Sequence, residues 1–419
     1  MTAMPLHPFP ISELIWPTIA IMAVGFLVSI CFTRRAGLSC WIAATKAGLF
    51  LVYFGFFFDG TFTFFDDWNY LRFGKLLVRD GIGIINLVHN YDYVRSTVKS
   101  ANLFYYVYNA SAITVFGGWY FAPVAANILL TFVAAGVLMK AARLGLGMGR
   151  RTSIGLFVFL ALSPSVLAWS TVANLKDILV ATGTAGVVYA VALVEMHRPK
   201  RAAMIAILWA LVLWVTRFYV PLMLGAAFGI ALLCSRRGRR SPWLWLAGGA
   251  ALVVVVFALG HGSLSGALHE FRASIGDPVT GIVRFIVTPI PFHTQPAYAF
   301  LNLPQLVFWI LLPLEFYGIV AIWKKGSMTG RFMVIYFVMM TLLYGMFPTL
   351  QGPRHRVQLD GLIVVFQYFG ILALVRHRFR RIRRFPFAGL RTPPARGAAR
   401  GESFSAARET RTPSWNRPT

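Results

Sequence analysis

Residues 57–74 read FFDGTFTFFDDWNYLRFG, a stretch in which an apolar run meets two adjacent carboxylates. The apolar and aromatic residues 47–65 predict a membrane span, and Asp66 and Asp67 follow them directly. Trp and Tyr residues come next, and these residue types collect where a span meets the lipid headgroups. A carboxylate is costly at such a boundary. Either both acids end the span and face water, or one of them is a general base or a cation ligand at the membrane surface.

The composition of the whole chain indicates a membrane protein. Of the 419 residues, 58% are hydrophobic and 13% are charged, and apolar segments recur along nearly the whole length. We therefore predict an all-α, polytopic transmembrane helical bundle, because a helix satisfies its backbone polar groups within one apolar segment. A formal charge of +26 would suggest nucleic acid in a soluble protein. In this chain it predicts contact with anionic membrane lipids, and no nucleic-acid partner.

The apolar runs, oriented by the Lys and Arg residues of the short loops, predict about eleven spans. The run 202–234 is too long for one span, so we predict two short helices with Arg217 at the outer tip between them. This topology puts the N-terminus outside and the C-terminus in the cytoplasm, in a multi-pass protein of the inner (plasma) membrane. The other spans are predicted at about residues 11–32, 47–65, 119–139, 153–170, 178–195, 243–259, 306–323, 332–350 and 359–375.

Two segments outside the spans have patterns of their own. Residues 71–86 carry Leu and Ile at helical spacing with cations between them, which predicts a helix lying in the membrane interface of an outer loop. Residues 376–419 are rich in Arg, Pro and Ser and have almost no apolar periodicity. They predict a basic, disordered cytoplasmic tail on the anionic inner leaflet, with residues 1–375 as the transmembrane domain.

The polar residues of the predicted outer face form the candidate site. Positive charges are normally depleted from short outer loops, so those that remain indicate a ligand, and a phosphate suits them because Arg binds phosphate bidentately. The alternatives are a local ion pair of Lys176 with Asp177, and arginines that bind lipid headgroups. The histidines lack metal-ligand spacing. The candidate residues are Asp66, Asp67, Tyr70, Lys176, Asp177, Arg217, Arg354 and Arg356.

Three short motifs, together with the predicted arrangement of spans and outer loops, resemble the GT-C superfamily of polytopic glycosyltransferases over about residues 50–375. They are FDDWNY at 65–70, SPSVLAWS followed by LKD at 163–177, and RHR at 354–356. The resemblance implies a polyprenyl-phosphate sugar as donor, with Asp66 or Asp67 as the general base or beside the acceptor. It also implies that Lys176, Arg217, Arg354 and Arg356 are candidates to contact the donor phosphate. We predict that Tyr70 and Asp177 bind substrate at the same site. One span precedes the acidic loop where the family usually begins, which leaves the subfamily open.

The chemistry of sugar transfer agrees with this pattern. A base must deprotonate the acceptor hydroxyl, and cations must stabilise the departing phosphate. Two adjacent carboxylates near a low-dielectric boundary repel, which raises the pKa of one toward that of a general base. We therefore expect a membrane glycosyltransferase acting on a cell-envelope glycan or lipid acceptor on the extracytoplasmic face. No organic cofactor is expected, and a divalent cation is left open.

Two other functions are compatible with the sequence. A polymerase or ligase of lipid-linked polysaccharide repeat units would share the arginine-rich outer face without needing the two adjacent acids. A transporter or flippase would carry ionisable groups inside its spans. We expect the ionisable groups of this chain at the outer ends of its spans instead, which favours the glycosyltransferase.

Overall fold

The computed structural model describes residues 8–100, 102–234 and 276–384. The predicted all-α, polytopic bundle is confirmed, since these ranges contain fifteen α-helices and no strand. The helices are α1 (Ile11–Thr33), α2 (Ala36–Val52), α3 (Phe65–Arg79), α4 (Tyr91–Val98), α5 (Leu103–Phe116), α6 (Phe121–Gly145), α7 (Arg150–Ala161), α8 (Pro164–Val172), α9 (Asp177–Glu195), α10 (Pro199–Trp214), α11 (Tyr219–Cys234), α12 (Pro278–Val287), α13 (Asn302–Lys325), α14 (Met328–Met346) and α15 (Pro353–Arg384).

The chain divides into two compact units, Met1–Val375 and Arg376–Thr419. The first unit contains the first turn of α15 and all the other helices that bear on the candidate site. Residues 376–384 of the predicted disordered tail are helical, as the last part of α15, and residues 385–419 lie outside the described residues.

Seven segments of the described chain are long and apolar enough to cross a membrane. They are Ile11–Thr33, Ala36–Phe57, Phe121–Gly145, Asp177–Glu195, Pro296–Lys325, Met328–Met346 and Pro353–Arg376. The helices α7 and α8, which meet at an angle of 43°, would form an eighth as one broken span.

The prediction of about eleven spans is too high for the described residues. The two helices within 202–234 are separate, as predicted, but α10 and α11 have only 16 residues each. Sixteen residues make about 24 Å of helix, which is less than the roughly 30 Å of a hydrocarbon core. The predicted span 243–259 lies outside the described residues.

The second span ends eight residues earlier than the apolar run 47–65 predicts. It ends at Phe57, and the chain then turns at Gly60, whose φ of 84° is readily adopted only by glycine. The side chain of Asp59 accepts a hydrogen bond from the Thr61 amide at 2.8 Å and supports this turn. Phe62 and Phe64 therefore belong to a loop, and Phe65 is the first residue of α3. The two adjacent acids lie in the first turn of a new helix rather than at the end of the span.

Helix α3 packs closely on α5, a buried apolar helix. The buried face of α3 contains Tyr70, Leu71 and Leu77. A Cβ at Gly74 would lie 3.0 Å from the Asn109 side chain and 3.2 Å from the backbone of Ala110, so glycine allows the two helices to approach. The predicted interfacial helix 71–86 is thus the second half of α3 and the turns after it.

Helices α13 and α15 approach backbone to backbone. A Cβ at Gly318 would lie 1.8 Å from the carbonyl oxygen of Phe366, and one at Gly370 would lie 1.9 Å from that of Leu314. Small residues at such positions are typical of helix pairs in membranes. This contact lies in the middle of α15, the helix whose first turn contributes to the candidate site.

Candidate functional site

Four elements that are distant in the sequence bring their ends together to form a charged cluster. Asp66 comes from the first turn of α3, and Lys176 and Asp177 come from the start of α9. Arg217 lies in the connection between α10 and α11, and Arg354 lies in the first turn of α15. We refer to these five residues as the charged cluster.

The ion pairs of the cluster form a continuous chain from Asp66 to Arg217. Arg354 donates from Nη1 to Asp66 Oδ2 at 2.9 Å and from Nε to Asp177 Oδ2 at 3.3 Å. Arg217 donates from Nη2 to Asp177 Oδ1 at 2.6 Å. Asp177 is fully buried, and it pairs with these two arginines rather than with its neighbour Lys176. Removing one partner of such a buried pair leaves an uncompensated charge, which costs roughly 3–5 kcal/mol.

A ring of hydrogen bonds holds Arg217 in place. Its Nη1 donates to the Tyr219 hydroxyl at 2.6 Å, and that hydroxyl lies 3.2 Å from the hydroxyl of Tyr344. Tyr344 donates to Gln358 Oε1 at 2.9 Å, and Gln358 Nε2 donates to Asp177 Oδ1 at 2.9 Å. Arg217 is therefore buried at this site instead of extending to lipid headgroups. Its pKa is raised because Asp177 and Tyr219 outweigh the opposing effect of burial.

Lys176 is the cation of the cluster without an anionic partner. Its side chain is buried, and its Nζ lies 5.9 Å from the centroid of the Tyr70 ring. Within the described ranges it has neither a hydrogen-bond acceptor nor an ion pair. Burial, reinforced by Arg217, lowers the pKa of Lys176 to about 7. An anion that entered the cluster would restore the charged form, because an opposite charge favours ionisation.

The two adjacent acids have different environments. The Asp66 side chain is 49% exposed, and Arg354 is its ion-pair partner. Asp67 is fully buried and caps the start of α3, where both of its oxygens accept from the Phe64 amide at 2.9 Å. The Trp68 amide and the Tyr120 hydroxyl also donate to Asp67, at 2.8 and 2.6 Å.

These contacts separate the two acids by role. Burial raises the pKa of Asp67 to about 7, against the hydrogen bonds from Tyr120 and the backbone that favour its ionised form. Its oxygens are occupied by donors from the protein, so Asp67 stabilises the start of α3. The half-exposed Asp66 is the carboxylate of the pair that a substrate can reach.

An uncharged network below the cluster was missed by the sequence analysis. Asn174 Nδ2 donates to the backbone oxygen of Asp67 at 3.1 Å and to Asn109 Oδ1 at 2.8 Å. The Tyr105 hydroxyl donates to Asn174 Oδ1 at 2.8 Å. These bonds fix the segment before α9, and hence Lys176 and Asp177. The available signal was the presence of asparagines within apolar segments, where an amide needs a partner.

Arg356 is separated from the charged cluster, although the sequence placed it in the same site. Its Nη1 donates to the backbone oxygens of Ile286 and Thr288 at 2.8 and 2.9 Å, and its Nη2 donates to Gln305. Its guanidinium also lies 4.3 Å from the centroid of the Phe308 ring. Arg356 therefore ties α12 to α13, and its donors are occupied by the protein.

At least three ionisable residues, Lys46, Glu315 and Asp360, are buried within spans, contrary to the expectation that such groups lie at the outer ends. Lys46 is in the span Ala36–Phe57, where its Nζ donates to Thr131 Oγ1 at 2.5 Å. Glu315 is in α13, and its Oε2 has no hydrogen-bond partner among the described residues. Asp360 is in the span Pro353–Arg376, where its Oδ2 accepts from the Ser165 hydroxyl at 2.5 Å. Intramembrane groups of this kind are the property expected of a transporter.

The described residues do not form a protein cage for a divalent cation. Within the ranges given above, no three His, Cys, Asp or Glu side chains are grouped closely enough to hold a metal ion. Arg354 lies between Asp66 and Asp177 and supplies the positive charge there.

Comparison with known proteins gave no relative: no family model, no curated protein and no solved structure matches this chain. The functional argument therefore rests on the geometry of the cluster.

Proposed function

We propose that the protein is a membrane glycosyltransferase that moves a sugar from a polyprenyl-phosphate donor to a cell-envelope glycan or lipid acceptor. One observation carries the proposal. The half-exposed carboxylate of Asp66 lies 2.9 Å from Arg354, in a cluster where the buried Lys176 has no acceptor among the described residues. A carboxylate for the acceptor hydroxyl and cations for the departing phosphate are the groups that this transfer requires.

In the proposed reaction, Asp66 accepts the proton of the acceptor hydroxyl. The acceptor oxygen forms a bond to the anomeric carbon while the bond from that carbon to the donor phosphate oxygen breaks. The electron pair of the broken bond remains on the phosphate, and Arg354 and Lys176 stabilise its added negative charge. Arg217 contributes through Asp177, to which both arginines are bonded.

The ion pair of Asp66 with Arg354 suggests how the donor prepares the base. Arg354 is shared between Asp66 and Asp177, and Asp177 is the more buried partner. A donor phosphate competes best for the bond to the exposed Asp66, since the buried pair excludes solvent and ligand alike. Donor binding would thus free Asp66 to accept the proton of the acceptor.

The proposed orientation puts the charged cluster on the extracytoplasmic side of the inner membrane. It rests on the basic loops, which include Arg34, Lys140, Arg143 and Lys324 and favour the cytoplasmic side. A donor carried on a membrane lipid reaches the cluster from the bilayer, where α13 exposes an apolar face.

The test is the Asp66→Asn variant, with Asp59→Asn as its matched control. Asp59 is exposed in the turn before α3, outside the cluster, and undergoes the same chemical change. Loss of a general base typically lowers the rate about 10²–10⁴-fold, so Asp66→Asn is expected to lose that much activity. The measurement is labelled envelope glycan formed by membranes supplied with the host's polyprenyl-phosphate sugars, at matched expression. The control is expected to retain wild-type activity.

Full activity of Asp66→Asn would contradict the proposed mechanism. It would favour a polymerase or ligase of lipid-linked repeat units, which uses the cations without this acid and whose variants change glycan chain length. The buried Lys46 and Glu315 favour a transporter as another candidate. A transporter would move labelled lipid or glycan across sealed vesicles without forming a new glycosidic bond.

A further inference from the structure

A second charged site lies where α1 and α6 end and α7 begins. A cavity of about 280 Å³ opens there, and its lining includes Arg34, Lys140, Arg143 and Arg150. Lining residues come from all three helices or their caps, so tertiary packing creates the cavity. We refer to it as the four-cation cavity.

The four cations are not neutralised by any carboxylate among the described residues. The lining contains no Asp or Glu, and none of the four has a carboxylate partner within the part of the chain that the structure describes. Lys140 lies over the ring of Phe32, with Nζ 4.8 Å from the ring centroid. Four positive charges that converge on one cavity repel each other, and a bound anion relieves this repulsion.

The start of α7 adds to the positive potential. The residue before this helix is Gly149, which provides no side-chain cap, and Arg150 and Ser153 of the first turn line the cavity. The first amide groups of a helix lack intrahelical acceptors, and together with the helix dipole they favour an anion.

The position of the cavity indicates the kind of anion that can reach it. It lies at the ends of two candidate spans, Ile11–Thr33 and Phe121–Gly145, where lipid headgroups are found. Helix α6 has 25 residues and starts next to Tyr120, which contacts Asp67 at 2.6 Å. The ends of such a helix are about 37 Å apart, so this cavity is distinct from the charged cluster.

We propose that the four-cation cavity binds a phosphate-bearing group with two or more negative charges. Four cations match two phosphates in charge, and basic pockets between spans are suited to headgroups of anionic lipids. A lipid headgroup with two phosphates and a free diphosphate share this chemistry, and the experiment below distinguishes them. The proposal is independent of the activity at the charged cluster.

The first test uses the full chain purified in detergent and native mass spectrometry. The probes are diphosphatidylglycerol, inorganic pyrophosphate and phosphatidylcholine. The double variant Arg34→Gln/Arg150→Gln removes two lining cations. The double variant Arg35→Gln/Arg151→Gln makes the same charge change at the adjacent exposed residues, which do not line the cavity.

We expect the lining variant to bind the anionic probe about thirtyfold more weakly, since one cation near a membrane surface contributes about fivefold. The control variant should change by less than about twofold, because Arg35 and Arg151 do not line the cavity and salt screens exposed charges that do not contact the ligand. Diphosphatidylglycerol binding alone identifies a lipid headgroup, and competition by pyrophosphate identifies a free diphosphate. Equal weakening in both variants, or no preference over phosphatidylcholine, would overturn the proposal.

The second test needs no substitution, because the chain carries its own reporter. Cys31 lines the cavity, and Cys40 is exposed but outside the lining. Bound anion should slow alkylation of Cys31 relative to Cys40 in the wild-type protein, as peptide mapping by mass spectrometry would show. Unchanged relative rates at saturating diphosphatidylglycerol and pyrophosphate would contradict the site, whatever the folding of the variants.

Discussion

The hydrogen bond from Tyr120 to Asp67 is expected to stabilise the base of the charged cluster. Tyr120 is fully buried, donates to Asp67 Oδ2 at 2.6 Å and accepts from the Asn174 amide at 3.3 Å. The Tyr120→Phe variant keeps the ring and removes only the hydroxyl. It therefore removes one hydrogen bond from the buried carboxylate of Asp67 and leaves the buried amide of Asn174 without its acceptor.

The size of the effect follows from these two losses. A hydrogen bond to a charged group contributes about 1.5–3 kcal/mol, and an unsatisfied buried donor costs about 1–3 kcal/mol. Because the two losses share one hydroxyl and the site can relax, we expect the free energy of unfolding to fall by about 2–4 kcal/mol. The assay is unfolding by SDS in mixed micelles, followed by tryptophan fluorescence.

The pH dependence gives a second readout with a defined sign. The folded-state pKa of Asp67 is about 7, above the value of about 3.9 in an unfolded chain. Its contribution to stability is therefore full below about pH 4 and is lost as the pH rises through 7. The Tyr120 hydroxyl favours the ionised form, so the Tyr120→Phe variant should be destabilised more at pH 8 than at pH 5.

The control is Tyr317→Phe, at a half-exposed tyrosine that has no side-chain hydrogen bond within the described residues. It should change the free energy of unfolding by less than about 0.5 kcal/mol. The reasoning is refuted if Tyr120→Phe unfolds like the wild type, or if its destabilisation is larger at pH 5 than at pH 8.

Two further predictions concern the cluster and its orientation. The pKa of Lys176 is lowered by burial and Arg217 to about 7, so donor affinity should weaken as the pH rises through 7. Lys176→Gln should remove that dependence of KM on pH, and its persistence in the variant would assign it to another group. Ser96 is exposed in α4, and with the native cysteines replaced, Ser96→Cys should react with an impermeant maleimide in intact cells. Ser403→Cys in the predicted tail should react only after lysis, and the reverse pattern would overturn the proposed orientation.

The sequence by itself determined the class of fold and most of its helices. Apolar runs of sufficient length predict spans because a buried backbone must satisfy its own polar groups, and α1 and α9 lie within one residue of their predicted bounds. The hydropathy gave the wrong end for the second span, because aromatic residues continue past the turn that ends it. There, Gly60 and Asp59 end the second span, although the residues after them are as apolar as those before.

The sequence also placed all five residues of the charged cluster among its candidates, but it did not assign their roles. Adjacent residues on a helix point about 100° apart, so Asp66 and Asp67 have different surroundings, and only the packing of α3 decided that Asp67 faces inward. Arg354 and Arg356 point about 200° apart for the same reason. Only the first reaches Asp177.

The tertiary structure decided which charges meet. Asp177 is bonded to Arg217, 40 residues away, and to Arg354, 177 residues away. A local pattern cannot specify such a contact, because it depends on where four helix ends arrive in space. The same holds for the four-cation cavity. In the sequence its basic residues have the pattern of ordinary cytoplasmic loops, and only the packing of α1, α6 and α7 brings them together. The physical reason is that hydropathy is a property of each segment, whereas ion pairing in a low-dielectric interior is a property of their packing.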